Sequence, residues 1–115
     1  MHSVAIKKKG RVLWKALAAQ TLFEKARGLM FKTKAIPLLF DFGRDAARAN
    51  AIHSFFCPRF DAVFLDSRKK IVCVMHEIRP FKLFLFSKQP ARYLIELPRG
   101  EARKARLRLG DKLEW

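Results

Sequence analysis

Apolar residues in this chain come in short runs, and each run is closed by a breaker. Ile36 to Phe42, Ile52 to Phe56, Phe60 to Leu65, Ile71 to Ile78 and Ala91 to Leu97 are the clearest. Between them lie Pro58-Arg59, Asp66-Ser67-Arg68-Lys69-Lys70, Arg79-Pro80 and Ser87-Lys88-Gln89-Pro90. Runs of this length, bounded by Pro and charged residues, read as strands. Asp66 to Lys70 reads as the turn of a hairpin between two of them. In Ile71 to Ile78 neither face is polar until His76, so the strand reads as central. Ala91 to Leu97 reads as central too. Nearer the start, Val4-Ala5-Ile6 and Val12-Leu13-Trp14 flank a basic turn, Lys7 to Arg11, with Gly10 as the bend.

Helix signals are few. Thr21-Leu22-Phe23-Glu24 is a capping box, a Thr that caps and a Glu that reaches back, and it predicts a short helix from Leu22 to Leu29. Pro98-Arg99-Gly100 opens a second short, basic helix from Glu101 to Leu107. Asp41 to Asn50 is polar and Ala-rich and reads as a loop with a helical turn. Gly110-Asp111 turns into a terminal strand, Lys112 to Trp115. The reading is mainly β, one domain over residues 1–115.

A hydrophobic content of 50% supplies a core and argues against disorder. Against it stands a net charge of +15, from 25 Lys and Arg over 10 Asp and Glu. Self-repulsion of that size opposes compaction, so either a partner or the surrounding solvent must compensate it. The sharp reading is an anionic partner, nucleic acid or an anionic membrane surface. The ordinary alternative is a basic proteome in a salty or hot interior. Asn50 is the only Asn, and Gln20 and Gln89 are the only Gln, a thermophile-like economy in amides.

Several function classes are excluded or left without a motif. There is no phosphate-binding Gly-rich loop and no nucleophile elbow. Cys57 and Cys73 read as buried, reduced hydrophobes, and no His/Cys spacing suggests zinc. No cofactor or metal is expected. Met1 to Gly10 carries no apolar run after its lysines and does not read as a signal peptide. No stretch is long enough to be a transmembrane segment, and a cytoplasmic chain is the expectation. No oligomeric state follows from the sequence.

Read in order, Arg27-Gly28-Leu29-Met30-Phe31, the Phe-rich strands, Asp61 to Asp66 with its basic turn, Glu96-Leu97-Pro98-Arg99-Gly100 and Gly110-Asp111 resemble the domain of unknown function 192 family. The resemblance runs from about Leu22 to Trp115. It implies an antiparallel β-sandwich or barrel-like domain with one or two short helices, and no activity. Many bacterial relatives carry a Lys-Asn pair where this chain has His53-Ser54-Phe55-Phe56-Cys57.

The leading expectation is a non-catalytic binding module for nucleic acid or another polyanion. Its contacts would come from Lys7, Lys8, Lys9, Arg68, Lys69, Lys70, Arg103, Lys104 and Arg106, which sit in turns or on an exposed helix. Solvated turn lysines are the plain alternative. A second reading is a small-ligand pocket or an enzyme near His53, Phe55 and Asp61. A third is a protein-interaction domain. Asp61 and Asp66 fall on opposite faces of a strand, so they do not pair as acid and base, and capping a strand end is their ordinary role. Phe81, Phe84 and Phe86 lie among Lys82 and Lys88. That pattern suits stacking on single-stranded nucleic acid, but core packing is the favoured reading.

Overall fold

The structure, a computed structural model, describes residues 2–19, 35–54, 57–82 and 84–115. The expected helix at 22–29, the Arg27 to Phe31 block and Phe55 lie outside the described residues. Six strands make one sheet: β1 (His2–Lys8), β2 (Arg11–Ala19), β3 (Leu38–Ala46), β4 (Phe60–Leu65), β5 (Ile71–Ile78) and β6 (Ala91–Pro98). A 3-10 turn covers Arg48–Asn50, and a short helix, α1, covers Glu101–Lys104. The sheet order is β1-β2-β3-β6-β4-β5. The fold is therefore mainly β, as the spacing of the apolar runs implies.

The sheet curls because its two edge strands are bridged. The C-terminal residues run between them, Glu114 pairing with Lys7 of β1 and Lys112 with Lys70 beside β5. Ile71 N–H donates to the Asp111 carbonyl (2.8 Å), and Leu113 N–H to the Lys69 carbonyl (3.0 Å). This half-barrel closes much of the edge that an open sheet would expose. β2 and β3 pair in parallel, the one parallel pair among these strands.

Side chains alternate between the sheet's two faces, so the strands from β2 to β6 feed two cores, and β1 feeds one of them. Ile6, Leu39, Val63, Leu65, Ile95 and Leu113 belong to one. Leu38, Phe40, Phe60, Phe64, Ile78 and Leu94 belong to the other. Every residue of β4 is buried, and β6 lies between β3 and β4, so β6 is central as expected.

Several local expectations need correction. β5 is an edge strand, not a central one. Its apolar outer positions are half-covered by the return loop to β6 and by the Leu107–Leu109 stretch, which supply the burial that a second strand would. Residues 52–54 form no strand: Ile52 makes a single bridge to Leu85, and Ser54 turns inward to hold the return loop. β3 runs on to Ala46 through an irregularity after Asp41, where Gly43 takes φ 87°. The helical turn follows at Arg48. Cys57 is buried, but Cys73 is only half-buried; neither is in a disulfide.

α1 stops short of Leu107. Arg106 adopts φ 56°, Leu107 N–H donates to the Ala102 carbonyl (3.1 Å) and Arg106 N–H to the Arg103 carbonyl (3.0 Å). That is a Schellman stop, with Leu107 and Ala102 both buried beneath it. Among the described residues no helix is long and apolar enough to cross a membrane.

Candidate functional site

The basic turns meet around the C-terminal residues. Lys8 reaches Asp111, Nζ to Oδ2 2.9 Å, and that hydrogen bond holds the Asp111 carboxyl below the ordinary carboxylate range. Lys7 pairs with Glu114 through its backbone and leaves its side chain in solvent. On the opposite edge, Lys69 donates to the Trp115 carbonyl (3.1 Å) and lies 4.3 Å from the centre of its ring. Arg68 and Lys70 are exposed. A recess of about 340 Å³ is lined by Lys8, Lys9 and Lys112 together with Asp111 and Glu114. The third cluster adjoins the first, because Arg11, Lys104 and Arg106 line one recess of about 480 Å³ with Val12 and Leu13. Arg103 is exposed, and Lys104 stands 4.0 Å from Glu101.

One residue in each cluster has a left-handed backbone: Lys9 at φ 52°, Lys69 at 64° and Arg106 at 56°. Such positions favour Gly or Asn, because a Cβ crowds the carbonyl there. The signal was invisible in sequence, since Lys and Arg carry no turn preference.

The residues around the second reading have structural work. Asp61 is fully buried, and its carboxylate accepts from Glu77 N–H (2.8 Å) and from Ala102 N–H (3.0 Å). It thereby fastens the end of β5 to the start of α1. Asp66 accepts from Arg68 and Lys70 N–H (2.9 and 3.0 Å) and shapes the basic turn. His53 is half-buried.

One feature was missed and one was misjudged. Glu96 on β6 is buried, its Oε1 without a hydrogen-bond partner, and burial pushes its carboxyl up to about 8. Burial likewise pushes the Cys57 thiol up to about 11, with Glu96 adding to it. A Glu inside the apolar stretch Tyr93 to Leu97 of a central strand was the available signal. The second feature is the return loop. Phe81 and Phe84 are 63% and 58% exposed, which corrects the core-packing reading; only Phe86 is half-buried.

Comparison with known proteins agrees with the fold. The DUF192 family model, described as "Uncharacterized ACR", matches residues 4–115. A UPF0127 protein of Pyrococcus horikoshii is 35% identical over 98 residues, 84% of each chain. One of Pyrococcus abyssi is 32% identical over 115 residues, 97% of each chain. Among solved structures, a protein of unknown function from Novosphingobium aromaticivorans superposes with TM-score 0.85 at 20% identity, over 98% of this chain and 85% of that one. A Sinorhizobium meliloti protein described as a candidate transcription regulator gives 0.79 at 23% identity, over 88% and 81%. At these identities the two structures speak for the fold alone.

Proposed function

The chain belongs to the DUF192 family, and from that premise we propose that it is a non-catalytic module binding polyanions such as nucleic acid, with low sequence selectivity. The contacts are Lys7, Lys8, Lys9, Arg68, Lys69, Lys70, Arg103, Lys104 and Arg106. The observation that carries this reading is the meeting of the first two turns on the two edges of the C-terminal residues, through Lys7 with Glu114 and Lys70 with Lys112. Arg11 extends the same basic surface to Lys104 and Arg106. Asp111 and Glu114 neutralise part of this charge and leave the greater part unmatched. Two cysteines outside any disulfide fit a reducing, cytoplasmic setting.

Binding of mixed single- and double-stranded oligonucleotides across a salt series tests it. Affinity should fall with slope of about 0.9 per phosphate neutralised on duplex and about 0.7 on single strands. Changing Lys7, Lys8 and Lys9 together to Ser should weaken all sequences about equally and flatten the slope. Failure to bind at low salt ends the proposal. Binding that survives loss of every cluster reduces it to unspecific attraction by a +15 chain.

A further inference from the structure

The return loop from β5 to β6 exposes what a soluble surface ordinarily hides. Phe81 and Phe84 are mostly in solvent, and exposed Arg79, Lys82 and Lys88 are spaced along the same loop. Exposure here is not looseness. Ser54, fully buried, ties the loop down with four hydrogen bonds. Its Oγ donates to the Arg79 carbonyl (2.7 Å) and accepts from Lys82 N–H (2.8 Å). Its N–H donates to the Lys82 carbonyl (2.9 Å), and its own carbonyl accepts from Phe81 N–H (3.1 Å).

Phe81 is also held at φ 66°, a left-handed conformation that a bulky side chain rarely adopts. A backbone strained in order to hold an aromatic ring in water is an outlier of the kind that clusters at ligand-contacting positions. Phe84 packs edge-on against Phe86, centres 5.3 Å apart, and the Arg48 guanidinium lies 5.7 Å from the Phe86 ring centre. From Phe86 and Lys88 a groove of about 480 Å³ follows Val72, Val74 and His76 of β5 to Leu109. Leu109 stands beside Arg108 and close behind Arg106 in the chain. Glu77 is the exposed acidic group at the loop's start.

We infer that Phe81 and Phe84 form a stacking platform for unpaired nucleobases, with Lys82 and Lys88 taking the neighbouring phosphates and the β5 groove leading the strand toward the third basic cluster. Every base offers a flat face whatever its identity, so such a platform selects single strands without reading sequence. The inference rests on the polyanion reading and narrows it to single-stranded nucleic acid.

The test measures the full chain against three probes: oligo(dT), an abasic phosphodiester of the same length, and a duplex. The abasic strand keeps the charge and lacks the bases. The wild type should prefer oligo(dT) over the abasic strand by about tenfold, the scale of a base stacked on an aromatic ring. Phe81→Ser with Phe84→Ser should erase that preference and leave abasic and duplex binding within about twofold, while Phe84→Trp should retain it. Both rings are exposed, so these variants should fold, which circular dichroism checks. Equal binding of oligo(dT) and the abasic strand by the wild type would overturn the platform and leave the polyanion reading standing. A preference that survives loss of both rings would overturn it too, as would a Phe84-dependent self-association seen by sedimentation without nucleic acid. Failure of all three probes at low salt would remove both readings.

Discussion

The basic turns and the aromatic loop solve one problem in different ways. Each carries a large residue on a left-handed backbone: Lys9, Lys69 and Arg106 in the turns, Phe81 in the loop. In the turns the constraint comes from repeated backbone pairing. Lys9 sits in a two-residue hairpin between Lys8 and Arg11, and Lys69 is gripped from both sides by Asp66 and Leu113. Around Phe81 it comes from Ser54, while the backbone pair of Ile52 with Leu85 holds the loop farther along. Redundant pairing tolerates a change at any one side chain, whereas a single fastener does not. The turns should therefore withstand point substitution, and the loop should not.

Asp61 is where the two regions join, because one oxygen holds the end of β5 and the other holds α1. Asp61→Ala should orphan two backbone amides at once. The expected loss is about 3 kcal/mol, measured by denaturant unfolding, at about 1–3 kcal/mol for each buried group left unpaired. It should loosen the loop and the third basic cluster together. A loss confined to one of them would break the claimed junction.

Glu96 belongs to neither region and lies buried in the central strand. Its carboxyl is raised from 4.5 to about 8, so the native chain keeps a proton that the unfolded chain releases between those values. Its contribution to stability should be greatest below pH 4.5, fall as pH rises through that window and level off above 8. The total fall is a few kcal/mol, at about 1.4 kcal/mol per unit. Glu96→Gln removes the ionising group and should flatten the fall, checked by denaturant midpoints at acid and mildly alkaline pH. A fall of unchanged depth would assign it to other groups.

Ser54→Ala should cost about 1–2 kcal/mol globally, through two side-chain hydrogen bonds. Its larger effect should be local. Amide exchange should speed up at Phe81 and Lys82 while the turn amides at Lys69 and Leu113 stay protected. Equal loosening of both would erase the contrast between the regions.

Much of this fold was legible in the sequence, and much of the surface was not. The strands at 60–65, 71–78 and 91–98 follow from short apolar runs and hard breakers. The edge position of β5 did not follow, because a loop and a short apolar stretch cover its face as a strand would. Nor did the parallel pairing of β2 with β3, a long-range choice that local pattern does not encode. The nine basic residues were named from their turns, but their gathering depends on where the C-terminal residues lie. Phe81 and Phe84 read as core because composition registers apolarity and not the backbone that turns a ring outward.

The most direct measurement pairs stability with binding in Lys9→Gly and Arg106→Gly. Both residues are exposed and left-handed, so glycine should relieve strain and stabilise the chain by up to about 1 kcal/mol each. The same two changes should weaken binding to oligonucleotides and lower the salt slope by about one phosphate contact each. A more stable chain that binds less tightly is the result expected if these strained positions are kept basic for a polyanion. A more stable chain that binds with unchanged affinity and slope would contradict that account.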